Sequence, residues 1–127
     1  MSRHQSRVVI MQSVYQWYYN TRKNIDKITR ENIETHPSKK LEEKFILKSI
    51  KGIKERIKKV EKTIAIAAPD WPIEQIDKID LAILIVGVYE LLYREDIPPK
   101  VAIDEAVELG KEFGGENTAP FVNGVLG

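Results

Sequence analysis

Apolar residues recur at three- and four-residue steps along most of the chain, which is the spacing of one face of a helix. The longest such pattern predicts a helix over about 39–66, with Ser38 as its N-terminal cap. Its apolar stripe consists of Ile46, Ile50, Ile53, Ile57, Val60 and Ile64. Gly52 interrupts this helix at a cost of about 1 kcal/mol relative to alanine. We therefore expect another helix to cross closely at that position.

Two shorter stripes predict helices at the start of the chain, over about 3–19 and 24–35. Ser2, with Gln5 three residues later, has the form of a capping box for the first of them. Asn20-Thr21 is expected to end it. The first helix has a broad apolar face, and in the second Ile25, Ile28 and Ile33 are expected to face inward.

A different pattern marks the stretch from Asp80 to Arg94. Residues 81–89 contain no charge and no strongly polar group, so this helix has no face for solvent and is predicted to run through the centre of the fold. Asp77 or Asp80 is predicted to cap it. The run is shorter than the about 20 residues that a membrane span needs. Because no alternating apolar and polar run of useful length is present, we predict an all-α fold with six or seven helices.

Turn-forming residues separate the remaining elements. Residues 67–72 contain two prolines and are predicted to interrupt the helices before the central one. Trp71, within them, is expected to fill the edge of the core. After a loop at 94–99, a further helix is predicted to end at Gly114, and Thr118 is predicted to open the last one.

Length and composition narrow the class of protein. A chain of 127 residues is expected to form a single helical domain over 1–127 with one core. The absence of cysteine excludes disulfides, thiolate zinc sites and thiol catalysis. The first residues lack the apolar run and cleavage site of a signal peptide. We therefore expect a cytoplasmic protein that has no membrane segment.

The net charge of +1 conceals two halves of opposite sign. Residues 1–60 carry 15 Lys or Arg against 6 Asp or Glu, a balance of +9, whereas residues 61–127 carry 5 against 13, a balance of −8. No acidic residue precedes Asp26. Such asymmetry indicates a polyanionic partner at one end. The alternative for residues 39–62 is a solvated lysine face on one helix.

No constellation of catalytic residues is present. His4 and His36 are far apart and lack a metal-ligating residue at helical spacing. The glycine-rich phosphate-binding and nucleophile motifs are also absent. The carboxylates of Asp104, Glu105 and Glu108 are ordinary partners of a helix dipole. The sequence therefore favours binding over catalysis, with no cofactor and no metal.

The order of motifs in the C-terminal part resembles the NusB family of bacterial transcription antitermination factors. The residues that carry this resemblance are Tyr89-Glu90-Leu91, Asp96-Ile97-Pro98, KVAIDEAVEL at 100–109, Lys111, Phe113-Gly114 and FVNGVL at 121–126. The N-terminus agrees more weakly, through Arg3, Arg7, Gln12, Tyr15 and Trp17. The resemblance covers most of the chain and is most specific over its last 48 or so residues.

The resemblance implies an all-helical fold of two small packed bundles. It also implies a non-catalytic factor that binds the single-stranded boxA element of nascent ribosomal RNA. That factor forms a heterodimer with NusE, a small-subunit ribosomal protein, and acts within an RNA polymerase antitermination complex. The RNA-binding residues that it implies are Arg3, Arg7, Gln12, Tyr15, Asn117 and Phe121. Asp80, at the start of the central helix, is the candidate for contact with NusE.

Several positions depart from the family pattern. The basic start is reduced to Arg3-His4-Gln5-Ser6-Arg7, Ile85 stands where the family often has arginine, and Asp104 replaces a common asparagine. Fewer phosphates are therefore expected to be neutralised at the N-terminus. Lys23, Lys27 and the lysines of the long helix are candidate replacements for the missing arginines.

The residues also leave alternatives open. Arg3 and Arg7 fit a solvated helix end, Tyr15 and Phe121 fit core positions, and Asn117 fits the entry to a helix. For the whole protein, the alternative is a self-associating helical scaffold, a homodimer with weak or no specific RNA binding. An accessory domain of an RNA methyltransferase is disfavoured because 127 residues hold no catalytic domain beside it.

Overall fold

The computed structural model describes residues 3–19 and 24–127. Its helices are α1 (Arg3–Tyr19), α2 (Ile25–Thr35), α3 (Glu43–Ala67), α4 (Lys78–Tyr93), α5 (Pro99–Phe113) and α6 (Thr118–Leu126), with a 3-10 turn at Ile73–Gln75. The predicted all-α class and helix number are confirmed. The proposed cap Ser2 and the proposed helix end Asn20-Thr21 lie outside the described residues.

Helix α3 confirms the apolar stripe that the sequence shows. Its stripe residues are buried except for Ile57, which is half-buried. Gly52 is the close crossing point that we expected, because a Cβ atom there would overlap the phenol ring of Tyr89 on α4. The glycine therefore allows α3 and α4 to approach each other.

The predicted start of α3 is wrong by four residues, and Ser38 does not cap it. The helix begins at Glu43. The Ser38 hydroxyl instead accepts a local bond of 3.1 Å from the Lys40 backbone N–H. Residues 36–42, before α3, are not helical, and the Glu42 backbone N–H donates to Ser6 Oγ of α1, at 2.8 Å. A contact that is distant in sequence thus overrides the local capping signal.

Helix α4 is the centre of the fold. The ten residues from Leu81 to Glu90 are all buried, and α4 packs against α1, α3, α5 and α6. Asp77 caps it, since its carboxylate accepts a 2.9 Å bond from the Ile79 N–H. The sequence had placed the helix at 80–94, and the structure starts it two residues earlier. No helix in the described ranges is long and apolar enough to cross a membrane.

The six helices form two groups that meet at α4. Helices α1, α2 and α3 pack against one another, and so do α4, α5 and α6. The core cluster takes residues from all six helices. The expectation of two small packed bundles is confirmed, with α4 belonging to one and covered by the other.

Trp71 does not fill the core edge as we expected. Its side chain is 53% exposed and meets Phe121 of α6 edge-on, with ring centroids 6.3 Å apart. Residues 69–72, which are all exposed, turn away from the bundle after α3 because Pro69 and Pro72 cannot continue a helix. The indole therefore lies on the surface beside α6.

Candidate nucleic-acid interface

Helices α1 and α4 run antiparallel, and this arrangement sets where the candidate residues lie. Arg7, early in α1, pairs with Glu90, late in α4. At the other end, the Lys78 ammonium lies 5.0 Å from the centre of the Tyr19 ring. The candidate arginines therefore lie beside the C-terminal end of α4, and Asp80 lies near its N-terminal end.

Three arginine side chains surround one buried aromatic ring at the first of these ends. Phe45, in the first turn of α3, has the guanidinium carbons of Arg3, Arg94 and Arg7 at 4.2, 5.1 and 5.4 Å from its ring centroid. A guanidinium within about 6 Å of an aromatic face is attracted by the ring quadrupole. We call Phe45 and these three arginines the arginine cluster.

Arg7 is the most deeply buried arginine of the arginine cluster. Its side chain is 3% exposed, and its Nε donates to Glu90 at 2.9 Å while Nη1 donates to Glu105 at 3.1 Å. Burial raises the pKa of Glu90, and the Arg7 guanidinium opposes that shift. The alternative that Arg7 belongs to a solvated helix end is therefore wrong, because carboxylates of α4 and α5 cover its side chain.

Arg94 is also buried. It binds both carboxylate oxygens of Asp96, at 2.9 and 2.8 Å, and donates to Ser49 Oγ at 3.1 Å. The hydrogen bonds from Arg94 hold the pKa of Asp96 well below its usual range. This pair closes the turn after α4 and leaves Arg94 little capacity for a ligand.

Arg3 is the accessible member of the arginine cluster, with 44% of its side chain exposed. Its Nε and Nη2 donate to the two oxygens of Glu42 at 3.0 and 2.9 Å. It lines a surface depression of about 470 Å³ that Lys44 and Lys48 also line. Both lysines are exposed and form no ion pair within the described ranges. Four cationic side chains and the two carboxylates of Glu42 and Glu43 thus line this concave surface, which leaves it net positive and suited to an anion.

Gln12 and Tyr15 lie further along α1, away from the arginine cluster. Gln12 is exposed, whereas Tyr15 is half-buried and packs against the core cluster. The ring of Tyr15 lies 6.4 Å from that of the exposed Tyr19. Tyr15 therefore has both characters that the sequence left open, since one part of it packs inward and another part reaches the surface.

The structure brings the remaining candidate Asp80 together with Asn117 and Phe121, which lie more than 35 residues later in the sequence. Asp80, Asn117 and Phe121 line one cavity of about 330 Å³, together with Trp71. Asp80 Oδ1 accepts a 2.8 Å bond from the Thr118 hydroxyl. Burial raises the pKa of Asp80. Asn117 precedes α6 as we expected, but its side chain does not cap the helix.

Sequence reasoning missed the carboxylates and the ring that hold the arginine cluster. Glu90 did indicate a buried cation, because it is the one charge in the apolar residues 81–93 and a buried charge needs a partner of opposite sign. Glu42 and Phe45 gave no comparable signal. Both act through contacts with α1, which is about 40 residues away in sequence. The part of the chain that the structure describes contains no group of three or more His, Asp or Glu side chains placed to hold a metal ion.

The comparisons with known proteins all point to one family. The family model described as "NusB family" matches residues 4–127. The chain is 34% identical over 126 residues to the transcription antitermination protein NusB of Methylacidiphilum infernorum (isolate V4), with 99% of this chain and 88% of that protein covered. It is 36% identical over 140 residues to the NusB protein of Clostridium botulinum (strain Kyoto / Type A2), with 100% and 98% covered.

Solved structures agree with these matches. The fold is similar to that of NusB from T. maritima, with a TM-score of 0.88 and 32% identity over 99% of this chain and 88% of that chain. It is also similar to a chain in the crystal structure of antitermination factors NusB and NusE in complex with dsRNA. That match has a TM-score of 0.87 and 22% identity over 99% of this chain and 95% of that chain. At 22% identity the second likeness supports the fold.

Proposed function

The chain belongs to the NusB family of transcription antitermination factors, and on that premise we propose that it binds the single-stranded boxA element of nascent ribosomal RNA together with NusE. The family is non-enzymatic, and its members are RNA-binding proteins. We further propose that the complex acts with RNA polymerase. The structural relative that contains NusB, NusE and RNA supports both kinds of partner.

Arg3 carries this proposal. Its guanidinium is accessible, has its carbon 4.2 Å from the centroid of the Phe45 ring, and borders the depression that Lys44 and Lys48 line. Arginine and lysine side chains that neutralise phosphates supply most of the affinity for nucleic acids and make it salt-dependent. We propose that the RNA backbone crosses this depression.

Arg7 has a different role in the proposal. A side chain that is 3% exposed and bound by two carboxylates has no surface for a phosphate. We propose that Arg7 positions the first turns of α1, and with them Arg3, by tying α1 to α4 and α5. Its effect on RNA binding is then indirect.

Phe121 and Asn117 are the proposed contacts for bases. Single-stranded RNA is read by stacking of splayed bases on aromatic rings and by hydrogen bonds to their edges. The half-buried ring of Phe121 and the exposed Asn117 amide border the same cavity. Gln12 and Tyr15 are proposed contacts along α1. Asp80, in the wall of the cavity, is the proposed contact to NusE.

Fluorescence anisotropy with labelled boxA RNA and a scrambled RNA of equal length tests the proposal. We expect the protein to prefer boxA, NusE to strengthen that preference, and the affinity to fall as salt rises. Equal affinity for both RNAs, with and without NusE, would contradict it. A stable dimer in sedimentation velocity that neither RNA nor NusE dissociates would favour the self-associating scaffold instead.

A further inference from the structure

Glu42 is an unusual residue for its place in the fold. It occupies the N-cap position of α3, where Ser, Thr, Asp and Asn are preferred because a short side chain can accept a bond from the first turn. The Glu42 side chain makes no such capping bond. Its carboxylate turns away from α3 and binds the guanidinium of Arg3 through both oxygens.

The backbone of Glu42 is held in a way that fixes this pairing. Its N–H donates to Ser6 Oγ at 2.8 Å, and Ser6 is buried one turn after Arg3 on α1. The carboxylate therefore stands beside the first turn of α1. The hydrogen bond from Arg3 lowers the pKa of Glu42, so the carboxylate is charged at neutral pH.

A comparison with the ion pairs of the other two arginines in the arginine cluster distinguishes the Arg3–Glu42 pair. The Arg7–Glu90 pair is 3% and 2% exposed, and Arg94 is 6% exposed. The Arg3–Glu42 pair is 44% and 17% exposed, so Arg3 is the arginine that a dissolved anion can reach. The Nε and Nη2 atoms that hold Glu42 form the edge with which arginine binds a phosphate through two parallel bonds.

We propose that Glu42 is an internal competitor of RNA for Arg3, a carboxylate that a phosphate must displace, so that it lowers the affinity of the RNA site. This inference rests on the proposed function. It adds that the affinity is limited by an acidic side chain of the chain itself. RNA that contacts Arg3 alone gains little, whereas RNA that also contacts Lys44 and Lys48 offsets the loss of the pair.

The chain offers a matched control for the test. Glu43 is adjacent, exposed and lines the same depression, but it forms no ion pair in the described ranges. Glu42→Gln and Glu43→Gln remove the same charge at neighbouring positions. Exposed ion pairs contribute roughly 0.2–1 kcal/mol. We therefore expect Glu42→Gln to raise the affinity for boxA RNA about three- to fivefold, and Glu43→Gln less than about twofold.

A charge-preserving variant separates pairing from net charge. Glu42→Asp keeps the carboxylate but shortens it, and aspartate at an N-cap position favours a bond to the helix N–H groups. The shorter side chain is thus drawn from Arg3 to α3 while the helix is stabilised, so the variant should fold. We expect an affinity about twofold above that of the wild type at unchanged net charge.

Repeating these titrations in an Arg3→Ala background distinguishes the two levels of the proposal. We expect Arg3→Ala to weaken binding and to reduce the gain from Glu42→Gln to that from Glu43→Gln. If Arg3→Ala leaves the affinity unchanged, the proposed RNA site is wrong. If Arg3→Ala weakens binding but Glu42→Gln gives no more than Glu43→Gln, or lowers the affinity, Glu42 is not a competitor and the inference is overturned.

Discussion

Arg3 and Arg7 lie one turn apart on the same side of α1, and both touch the ring of Phe45. Yet Arg7 is enclosed by carboxylates of α4 and α5, whereas Arg3 meets solvent and a single carboxylate at the start of α3. Both residues are arginines, and their four-residue separation places them on the same face of α1. The difference arises from the neighbouring helices, which bury one arginine as a structural element and leave the other to bind.

The largest expected effect is on stability at the buried arginine. Arg7→Ala leaves Glu90 charged and without its main partner in the interior, which typically costs about 3–5 kcal/mol. Arg3→Ala, at the exposed pair, should cost less than about 1 kcal/mol. Urea unfolding followed by circular dichroism measures both. Similar free energies of unfolding for the two variants would remove the distinction between the arginines.

A double substitution sharpens this result. Arg7→Met combined with Glu90→Leu removes both buried charges and replaces them with apolar side chains of similar length. We expect it to recover much of the stability that Arg7→Ala loses, because the cost of a broken buried pair is mainly that of the charge left behind. A double variant as unstable as the single one would instead assign the loss to packing.

Arg3 and Arg7 both contact the ring of Phe45. Replacing this ring should therefore affect both the stability of the fold and the affinity for RNA. Phe45→Leu keeps an apolar side chain and removes the aromatic face. Cation–π contacts contribute about 0.5–1 kcal/mol each at accessible sites, so we expect a loss of about 1–2 kcal/mol in stability and a few-fold weaker RNA binding. Phe113→Leu, at an exposed ring on α5, is the control and should change neither. Weakened stability with unchanged RNA affinity would separate Arg3 from the ring.

Much of the fold followed from the sequence because the decisive signals are local. The stripe of α3 and the uncharged run of α4 each define a buried face, and Gly52 marked where the two helices meet. The start of α3 and the position of Trp71 did not follow. The first depends on the bond from Glu42 to Ser6, and the second on the contact of Trp71 with Phe121 of α6.

The candidate site was less accessible to sequence reasoning for a related reason. Helical spacing placed Arg3 and Arg7 on one face, but it carries no information on which other helix covers that face. Glu90, the one charge in residues 81–93 of α4, indicated that some cation must be buried. Nothing in the sequence indicated that this cation was Arg7 or that Glu42 would bind Arg3.

The smallest expected effect is on how stability depends on pH through the carboxylates of Glu42 and Glu90. Arg3 lowers the pKa of Glu42, so the stability that this pair contributes is present above the ordinary glutamate pKa of 4.5 and is lost as pH falls through the lowered value. Burial raises the pKa of Glu90, so the titration of this carboxyl changes the stability in the opposite direction. The folded state holds the Glu90 proton more tightly than the unfolded chain does, and the stability linked to that proton is lost as pH rises through the raised value.

We therefore expect Glu42→Gln to cost less than about 1 kcal/mol at neutral pH and the difference from the wild type to shrink as the solution is made more acidic than the ordinary glutamate pKa. Urea unfolding at neutral and acidic pH measures this difference. Glu43→Gln, whose side chain has no ion pair among the described residues, should show no such trend. A difference that grows in acid would contradict the assigned direction.

The comparison between the two arginines is tested most directly by the RNA affinity of Arg3→Ala beside that of Arg30→Ala. Arg30 is an exposed arginine of α2 that forms no ion pair in the described ranges, so both variants remove one surface cation. We expect Arg3→Ala to bind boxA RNA about five- to tenfold more weakly than the wild type, as the loss of a phosphate contact worth about 1 kcal/mol or slightly more implies. We expect the affinity of Arg30→Ala to stay within about twofold of the wild type. Equal weakening by the two variants, or none by Arg3→Ala, would contradict it.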